Sequence, residues 1–111
     1  MRRIALLFLC FWPVSTLADG FESLSGPQVR TALEGRVLTY DSGAVQDFRA
    51  SGRTLYNAGQ DSWGYWRVQG AQYCSMWPPS DLWACYDLLS DGQIIRFIGA
   101  AGDTTDGRYS E

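Results

Sequence analysis

The sequence predicts a mainly β protein: an antiparallel meander or a partly closed small barrel of seven to eight strands, with one short N-terminal helix and one disulfide. Three observations predict this class. Glycine recurs six times between residues 35 and 70, the segments between the glycines are rich in Val, Thr, Tyr, Phe and Trp, and two cysteines follow an apparent export signal. Short strands and turns have this spacing, and helices of ordinary length do not fit it.

The predicted helix lies before the first of these glycines. Ser25 is followed three residues later by Gln28, which is a capping-box pattern. Val29 begins a narrow apolar stripe, and Gly35 stands where a helix would end in the left-handed region. The sequence therefore predicts a short helix over about residues 26–34, lying on the sheet.

Strands are expected in the later segments, which are short and rich in Val, Thr, Tyr, Phe and Trp. Sequential strands joined by short turns form an antiparallel meander. The predicted strands lie near residues 36–41, 45–50, 53–58, 63–69, 71–77, 83–89, 93–98 and 107–110.

The N-terminus has the pattern of a secretory signal peptide. Arginines at positions 2 and 3 precede an apolar run over residues 4–12, and Thr16-Leu17-Ala18 supplies a small-x-small cleavage pattern. The run is too short to span a bilayer. We therefore predict a signal peptide over residues 1–18, a single β domain over residues 19–111, no membrane span after cleavage, and a periplasmic or secreted location.

The charge balance of the remaining chain excludes some partners. After residues 1–18 are removed, seven Arg and no Lys or His stand against twelve Asp and Glu, a net charge of −5. An acidic chain of this kind lacks the basic surface that binds nucleic acid or an anionic membrane.

Cys74 and Cys85 are the two cysteines left after cleavage, and an even pair in a small exported chain predicts a disulfide. Both lie near the middle of neighbouring predicted strands. Cross-strand cysteines in a non-hydrogen-bonded pair are close enough to bridge. A bonded pair supplies neither a nucleophile nor a metal ligand, so we interpret both cysteines as structural.

The candidate binding residues come from a dense aromatic stretch that also contains arginine. Rings on an exposed strand face can stack on a sugar or a peptide, although the same rings can also fill the core of a small domain. Because strand side chains alternate between faces, Trp66 is expected to point one way and Tyr65 and Arg67 the other. The predicted binding residues are Trp63, Tyr65, Trp66, Arg67 and Trp77.

Catalytic residue types are scarce. Without His or Lys, the common nucleophile–base arrangements cannot be assembled. A carboxylate pair of the glycosidase type, for instance Asp81 with Asp87, is the remaining possibility. Zinc would need His or free Cys, and the stretch over residues 103–107 does not have the order of an EF-hand calcium loop. We therefore predict no catalytic residues, no metal and no cofactor.

Three motifs carry a resemblance to a known group of proteins: Trp63-Gly64-Tyr65-Trp66, Tyr73-Cys74-Ser75-Met76-Trp77-Pro78-Pro79 and Ala84-Cys85-Tyr86-Asp87. Over roughly residues 35–99 the chain resembles small signal-bearing envelope proteins of alphaproteobacteria, whose function is unknown. The resemblance implies a secreted β domain with one disulfide and transfers no catalytic residue.

A looser similarity is to periplasmic lysozyme inhibitors, which are small β-barrels of comparable size. Ser51-Gly52-Arg53-Thr54-Leu55-Tyr56 is similar to their S-G-x-x-Y strand, with one residue inserted. The chain has no Lys, a residue that those inhibitors also use.

These observations predict a periplasmic or secreted binding module that is not an enzyme, with an envelope protein or a glycan as its partner. Two alternatives remain open at this point. One is an inhibitor of a hydrolase such as lysozyme or a protease, and the other is a carboxylate-dependent hydrolase of cell-wall glycans.

Overall fold

The computed structural model describes residues 20–110, so the predicted signal peptide lies outside the described residues. These residues form nine antiparallel strands and one helix. In chain order the elements are β1 (Glu22–Ser23), α1 (Gly26–Leu33), β2 (Arg36–Tyr40), β3 (Val45–Phe48), β4 (Arg53–Asn57), β5 (Asp61–Gln69), β6 (Gln72–Met76), β7 (Ala84–Ser90), β8 (Ile94–Ile98) and β9 (Thr104–Tyr109).

Strands β2 to β9 close into an eight-stranded antiparallel barrel. Each strand pairs with the next along the chain, and the barrel closes where β9 pairs with β2. Strand β1 adds a short pairing to the end of β7, with Ser23 opposite Leu89. The predicted class, a mainly β meander with one helix and one disulfide, is confirmed, and the barrel is fully closed.

The helix begins and ends where the local sequence predicts. The Ser25 side chain accepts from the Gln28 backbone N–H at 3.3 Å, and the Gln28 side chain accepts from the Ser25 N–H at 2.9 Å. Gly35 follows with a φ of +75°, a conformation that disfavours side chains with a Cβ. Its N–H donates to the Phe48 carbonyl at the end of β3, which ties the helix exit to the barrel.

Helix α1 closes one end of the barrel. Val29 and Leu33 are fully buried and belong to the same apolar cluster as Phe48 and Trp66, which point inward from β3 and β5. The Tyr109 hydroxyl at the end of β9 donates to the Ala32 carbonyl at 2.7 Å. Within residues 20–110, no helix has both the length and the apolar character that a bilayer crossing requires.

Strand limits differ from the predicted ranges by one to three residues, and an additional strand, β1, is present. Strand β1 was not predicted, because two residues give no alternation to detect. Strand β9 begins at Thr104 and not at residue 107, because Asp106 accepts two hydrogen bonds from Arg96 of β8, at 2.8 and 2.9 Å. Gly107 lies within this strand. Its lack of a Cβ leaves room for the Tyr40 ring, because a Cβ there would lie 3.1 Å from that ring.

The predicted disulfide joins β6 to β7. Cys74 lies directly opposite Cys85, with their Cα atoms 4.0 Å apart. Gln72 and Asp87, each two positions from one of the cysteines, are also cross-strand partners, and the Gln72 amide donates to the Asp87 carboxylate at 3.1 Å. The bridge therefore fixes the register of these two strands and leaves neither thiol free.

Removing the bridge is expected to lower the free energy of unfolding by about 3 kcal/mol, because the unfolded chain regains the freedom of the closed loop. The comparison is between the oxidised protein and Cys74→Ala/Cys85→Ala by urea denaturation. A reductant should destabilise the oxidised protein and leave the double variant unchanged. Two free thiols in the purified oxidised protein would contradict the pairing.

Candidate functional site

The barrel is open at the end opposite α1, where a cavity of about 550 Å³ enters its interior. Pockets that hold small ligands have volumes of about 300–1,000 Å³. Eight strands give an interior that side chains fill or that holds one small ligand. Here the half nearest α1 is filled, and the half nearest the opposite end is not.

Aromatic rings form much of the cavity wall, in a connected series of contacts. Tyr56 packs edge-on against Trp77 at 6.0 Å between ring centroids and lies 6.3 Å from Tyr40. Phe97 lies 5.7 Å from Tyr40 and 6.3 Å from Tyr86. Edge-to-face pairs at these distances stabilise one another beyond simple burial, so the wall is held in place by its own packing.

A glycine makes room for one of these rings. Gly64 occupies an inward position on β5, and a Cβ there would lie 2.5 Å from the Trp77 ring. The Trp77 indole N–H donates to the Ser75 hydroxyl at 3.2 Å. The Trp77 ring therefore lies across the strand at Gly64, beside the cavity.

The floor of the cavity is a buried polar network centred on Gln46. Its Nε2 donates to the Thr54 hydroxyl and to the Tyr73 hydroxyl, each at 3.0 Å, and its Oε1 accepts from the Tyr40 hydroxyl at 2.6 Å. Thr54 in turn donates to the Asp47 carbonyl at 2.7 Å. Because both amide hydrogens are used, the Gln46 side chain is fixed in one orientation.

The two tyrosines of this network remain neutral over a wide pH range. Burial raises the pKa of Tyr73 to about 12, although hydrogen bonds from Ser75 and Gln46 oppose the shift. Burial also raises the pKa of Tyr40, with further repulsion from neighbouring tyrosines. The floor therefore presents uncharged hydroxyl groups and no anion.

The cavity lining carries no formal charge at neutral pH. Within residues 20–110, no Asp, Glu or Arg lines it. The hydroxyls of Tyr56 and Tyr86 have no hydrogen-bond partner among these residues, and the lining also includes the exposed residues Ser62 and Thr105. The site combines aromatic surface with hydroxyls that can still form hydrogen bonds.

A second candidate surface lies on the outside of the wall, where Arg side chains stack on exposed rings. The Arg53 Cζ lies 4.5 Å from the Trp63 ring centroid and 5.7 Å from that of Tyr65. The Arg67 Cζ lies 3.8 Å from the Trp83 ring centroid. Among the described residues, neither guanidinium has a carboxylate within 4.0 Å. We call this the outer Arg–aromatic face.

The structure does not bring the five predicted binding residues onto one surface. Trp63 and Tyr65 are about two-fifths exposed and, with Arg67, belong to the outer Arg–aromatic face; Trp63 also borders the cavity mouth. Trp66 is 4% exposed in the core near α1, and its indole N–H donates to a backbone carbonyl. Trp77 lines the cavity. The expected alternation of Trp66 against Tyr65 and Arg67 is confirmed.

The acidic residues weighed for catalysis and calcium lie elsewhere. Asp87 is on the outer surface with Gln72, and Asp81 lies in the loop before β7; neither lines the cavity. Of the stretch over residues 103–107, residues 104–107 form the first four positions of β9. Across residues 20–110, no three His, Cys, Asp or Glu side chains are grouped as metal ligands would be.

Sequence reasoning missed the cavity residues Gln46, Tyr40, Tyr56 and Tyr86. A signal for Gln46 was present in the sequence. It lies two positions before Phe48 on β3, and residues two positions apart on a strand share a face, here the inward one. A polar residue at an inward position indicates a buried network or a site. The others could not be grouped, since their strands are distant in sequence.

Comparisons with protein-family models, with curated proteins and with solved structures gave no significant match to this chain. The resemblance to small alphaproteobacterial envelope proteins stays a prediction.

Alkaline pH is expected to destabilise the fold through the buried tyrosines. Below about pH 10 the Tyr73 hydroxyl is protonated in both the folded and the unfolded state. Above that pH it ionises in the unfolded state but stays protonated in the folded state up to about pH 12. The free energy of unfolding should therefore fall as pH rises across this interval. Urea denaturation at several pH values measures it.

Tyr73→Phe should reduce the fall in the free energy of unfolding at alkaline pH. It should also lower the free energy of unfolding at neutral pH, because Gln46 loses a hydrogen-bond partner. Tyr65→Phe, on the outer surface, is the control and should keep the loss. An unchanged pH dependence in Tyr73→Phe would contradict the assignment.

Proposed function

We propose that this chain is an exported, non-catalytic binding module that takes a small ligand into the open end of its barrel. The observation that carries the proposal is the uncharged, aromatic-lined cavity above the Gln46 network. A concave apolar site with a few fixed polar groups is the usual form of a small-ligand site.

Export is part of the proposal and rests on two features. The pattern over residues 1–18 is that of a signal peptide. The Cys74–Cys85 bridge suits an oxidising compartment, where disulfides persist. We propose a periplasmic or secreted location on these grounds.

The chemistry of the lining favours binding over catalysis. Its polar groups are hydroxyls and one amide, and the Ser75 hydroxyl accepts from the Trp77 indole with no base beside it. Burial keeps the Tyr40 and Tyr73 hydroxyls protonated by raising the pKa of each. Proton transfer at neutral pH needs a group whose pKa is near 7, and none of these qualifies.

A neutral fluorescent probe tests whether the cavity binds ligands. N-phenyl-1-naphthylamine should bind saturably with one-to-one stoichiometry. Thr105→Trp, at the mouth, should weaken binding by about tenfold or more because the indole occupies the entrance. Probe fluorescence against protein concentration gives both affinities.

Thr104→Trp is the matched control, since Thr104 is the neighbouring exposed residue of β9 and faces outward. It should bind the probe as the unmodified chain does. A second concavity beside α1, lined in part by Pro27, Thr31 and Arg36, is the competing probe site. Equal binding by both variants would place the probe outside the barrel, and absence of saturable binding would overturn the proposal.

A second candidate function is inhibition of a hydrolase through the outer Arg–aromatic face. It is favoured by Arg53 and Arg67, which have no carboxylate partner among the described residues although the chain is acidic. Arginine stacked on a ring is well suited to an acidic protein surface. The exposed Ser51 turn beside Arg53 belongs to the same region.

Titration of secreted hydrolases, including lysozyme and proteases, tests this candidate. A target should be inhibited at micromolar protein, and Arg53→Gln/Arg67→Gln should weaken inhibition about tenfold or more. Arg108→Gln, on the opposite side of the barrel, is the control and should have no effect. Absence of inhibition across the panel would eliminate the candidate.

A further inference from the structure

We infer that the cavity ligand is an uncharged ring compound rich in hydroxyl groups, namely a neutral saccharide of one or two rings. This inference rests on the proposed function, because it names the ligand of the same cavity. It is argued from the charge of the lining, from its unpaired hydroxyls and from the arrangement of its rings.

Charge excludes ionic ligands from the cavity. None of the described side chains that line it bears a formal charge at neutral pH. An ion that leaves water for this site would lose its hydration and gain no counter-charge, which is strongly unfavourable. Arg53 stacks on Trp63 at the border of the cavity mouth and Arg67 stacks on Trp83, but neither arginine lines the cavity.

Unpaired hydroxyl groups favour a hydroxylated ligand over a purely apolar one. Tyr56 and Tyr86 reach the cavity with hydroxyls that have no protein partner among the described residues, and Ser62 and Thr105 add two more at the mouth. A hydrocarbon ligand would cover these groups without pairing them, at about 1–3 kcal/mol for each buried group. A ligand with several hydroxyls pairs them instead.

The floor limits where these contacts form. Gln46 uses its two amide hydrogens and its carbonyl oxygen within the protein. The polar groups that keep their full hydrogen-bonding capacity for a ligand are therefore the hydroxyls of the wall and the mouth. A ligand in this site forms hydrogen bonds through the polar groups at its edge. It lies above the Gln46 network and does not displace that network.

The rings favour a saccharide in particular. Trp77, Tyr56 and Phe97 line the cavity and are fixed by contacts with one another or with Tyr40. Aromatic faces are electron-rich, and the C–H groups on the flat face of a sugar ring are their natural partners. A sugar offers those C–H groups together with hydroxyls at its edge.

Isothermal titration with matched ligand pairs tests the inference. Methyl β-glucoside is compared with the anionic methyl β-glucuronide, and N,N′-diacetylchitobiose with its cationic deacetylated form at mildly acidic pH. At least one neutral member should bind, and its charged counterpart should bind about tenfold more weakly or worse.

Protein variants test whether the hydroxyls make the contact. Tyr56→Phe/Tyr86→Phe keeps both rings and should weaken saccharide binding about tenfold or more, while the apolar probe N-phenyl-1-naphthylamine, which leaves these hydroxyls unpaired, should bind no more weakly than before. Thr104→Val removes a hydroxyl from an exposed, outward position on β9 and should change neither. Thermal denaturation of each variant checks that the fold is retained.

The outcomes separate this inference from the proposed function. If the probe binds in the cavity and no saccharide does, the ligand class is wrong and the binding module stands. If charged and neutral members bind equally, or if the Tyr56→Phe/Tyr86→Phe variant binds saccharide normally, the inference is also overturned. If neither probe nor saccharide binds, both proposals fail.

Discussion

Closure of the barrel is the constraint on which the rest of this structure depends. Once β9 pairs with β2, every second side chain of eight strands points into one enclosed space. Near α1 that space is filled by large residues such as Phe48 and Trp66, with Leu33 of the helix above them. Toward the other end the lining includes small residues such as Ser62, Ser75 and Thr105 beside its aromatic rings, and the space remains open as a cavity.

The same closure separates neighbours in the sequence. Tyr65 and Trp66 are adjacent, yet one lies on the outer Arg–aromatic face and the other in the core. It also brings together residues that are distant in sequence: Gln46 of β3 and Tyr73 of β6 are 27 positions apart and share a hydrogen bond. The wall thus separates two chemically different surfaces, one cationic and aromatic, the other uncharged.

Charge is distributed in keeping with this division. Ion pairs such as Arg96 with Asp106 lie along the outside of the strands, and the Arg96 guanidinium holds the pKa of the Asp106 carboxyl below its usual range. Inside, polarity is supplied by an amide and hydroxyls that burial keeps neutral. An acidic chain can therefore present a cavity without charge, because its carboxylates occupy outward or loop positions.

The sequence by itself determined the local features: the capped helix, the strand segments after Gly35, the Cys74–Cys85 pairing and the opposite faces of Tyr65 and Trp66. Each depends on residues that are close in the chain or on the two-residue period of a strand. Only the tertiary structure decided that the sheet closes completely, that Gln46 lies under a cavity, and that Trp77 lines it while Trp66 does not. Closure depends on the summed twist and register of eight strands, and a cavity is the volume that side chains from all of them leave unfilled, so no short stretch of sequence carries either property.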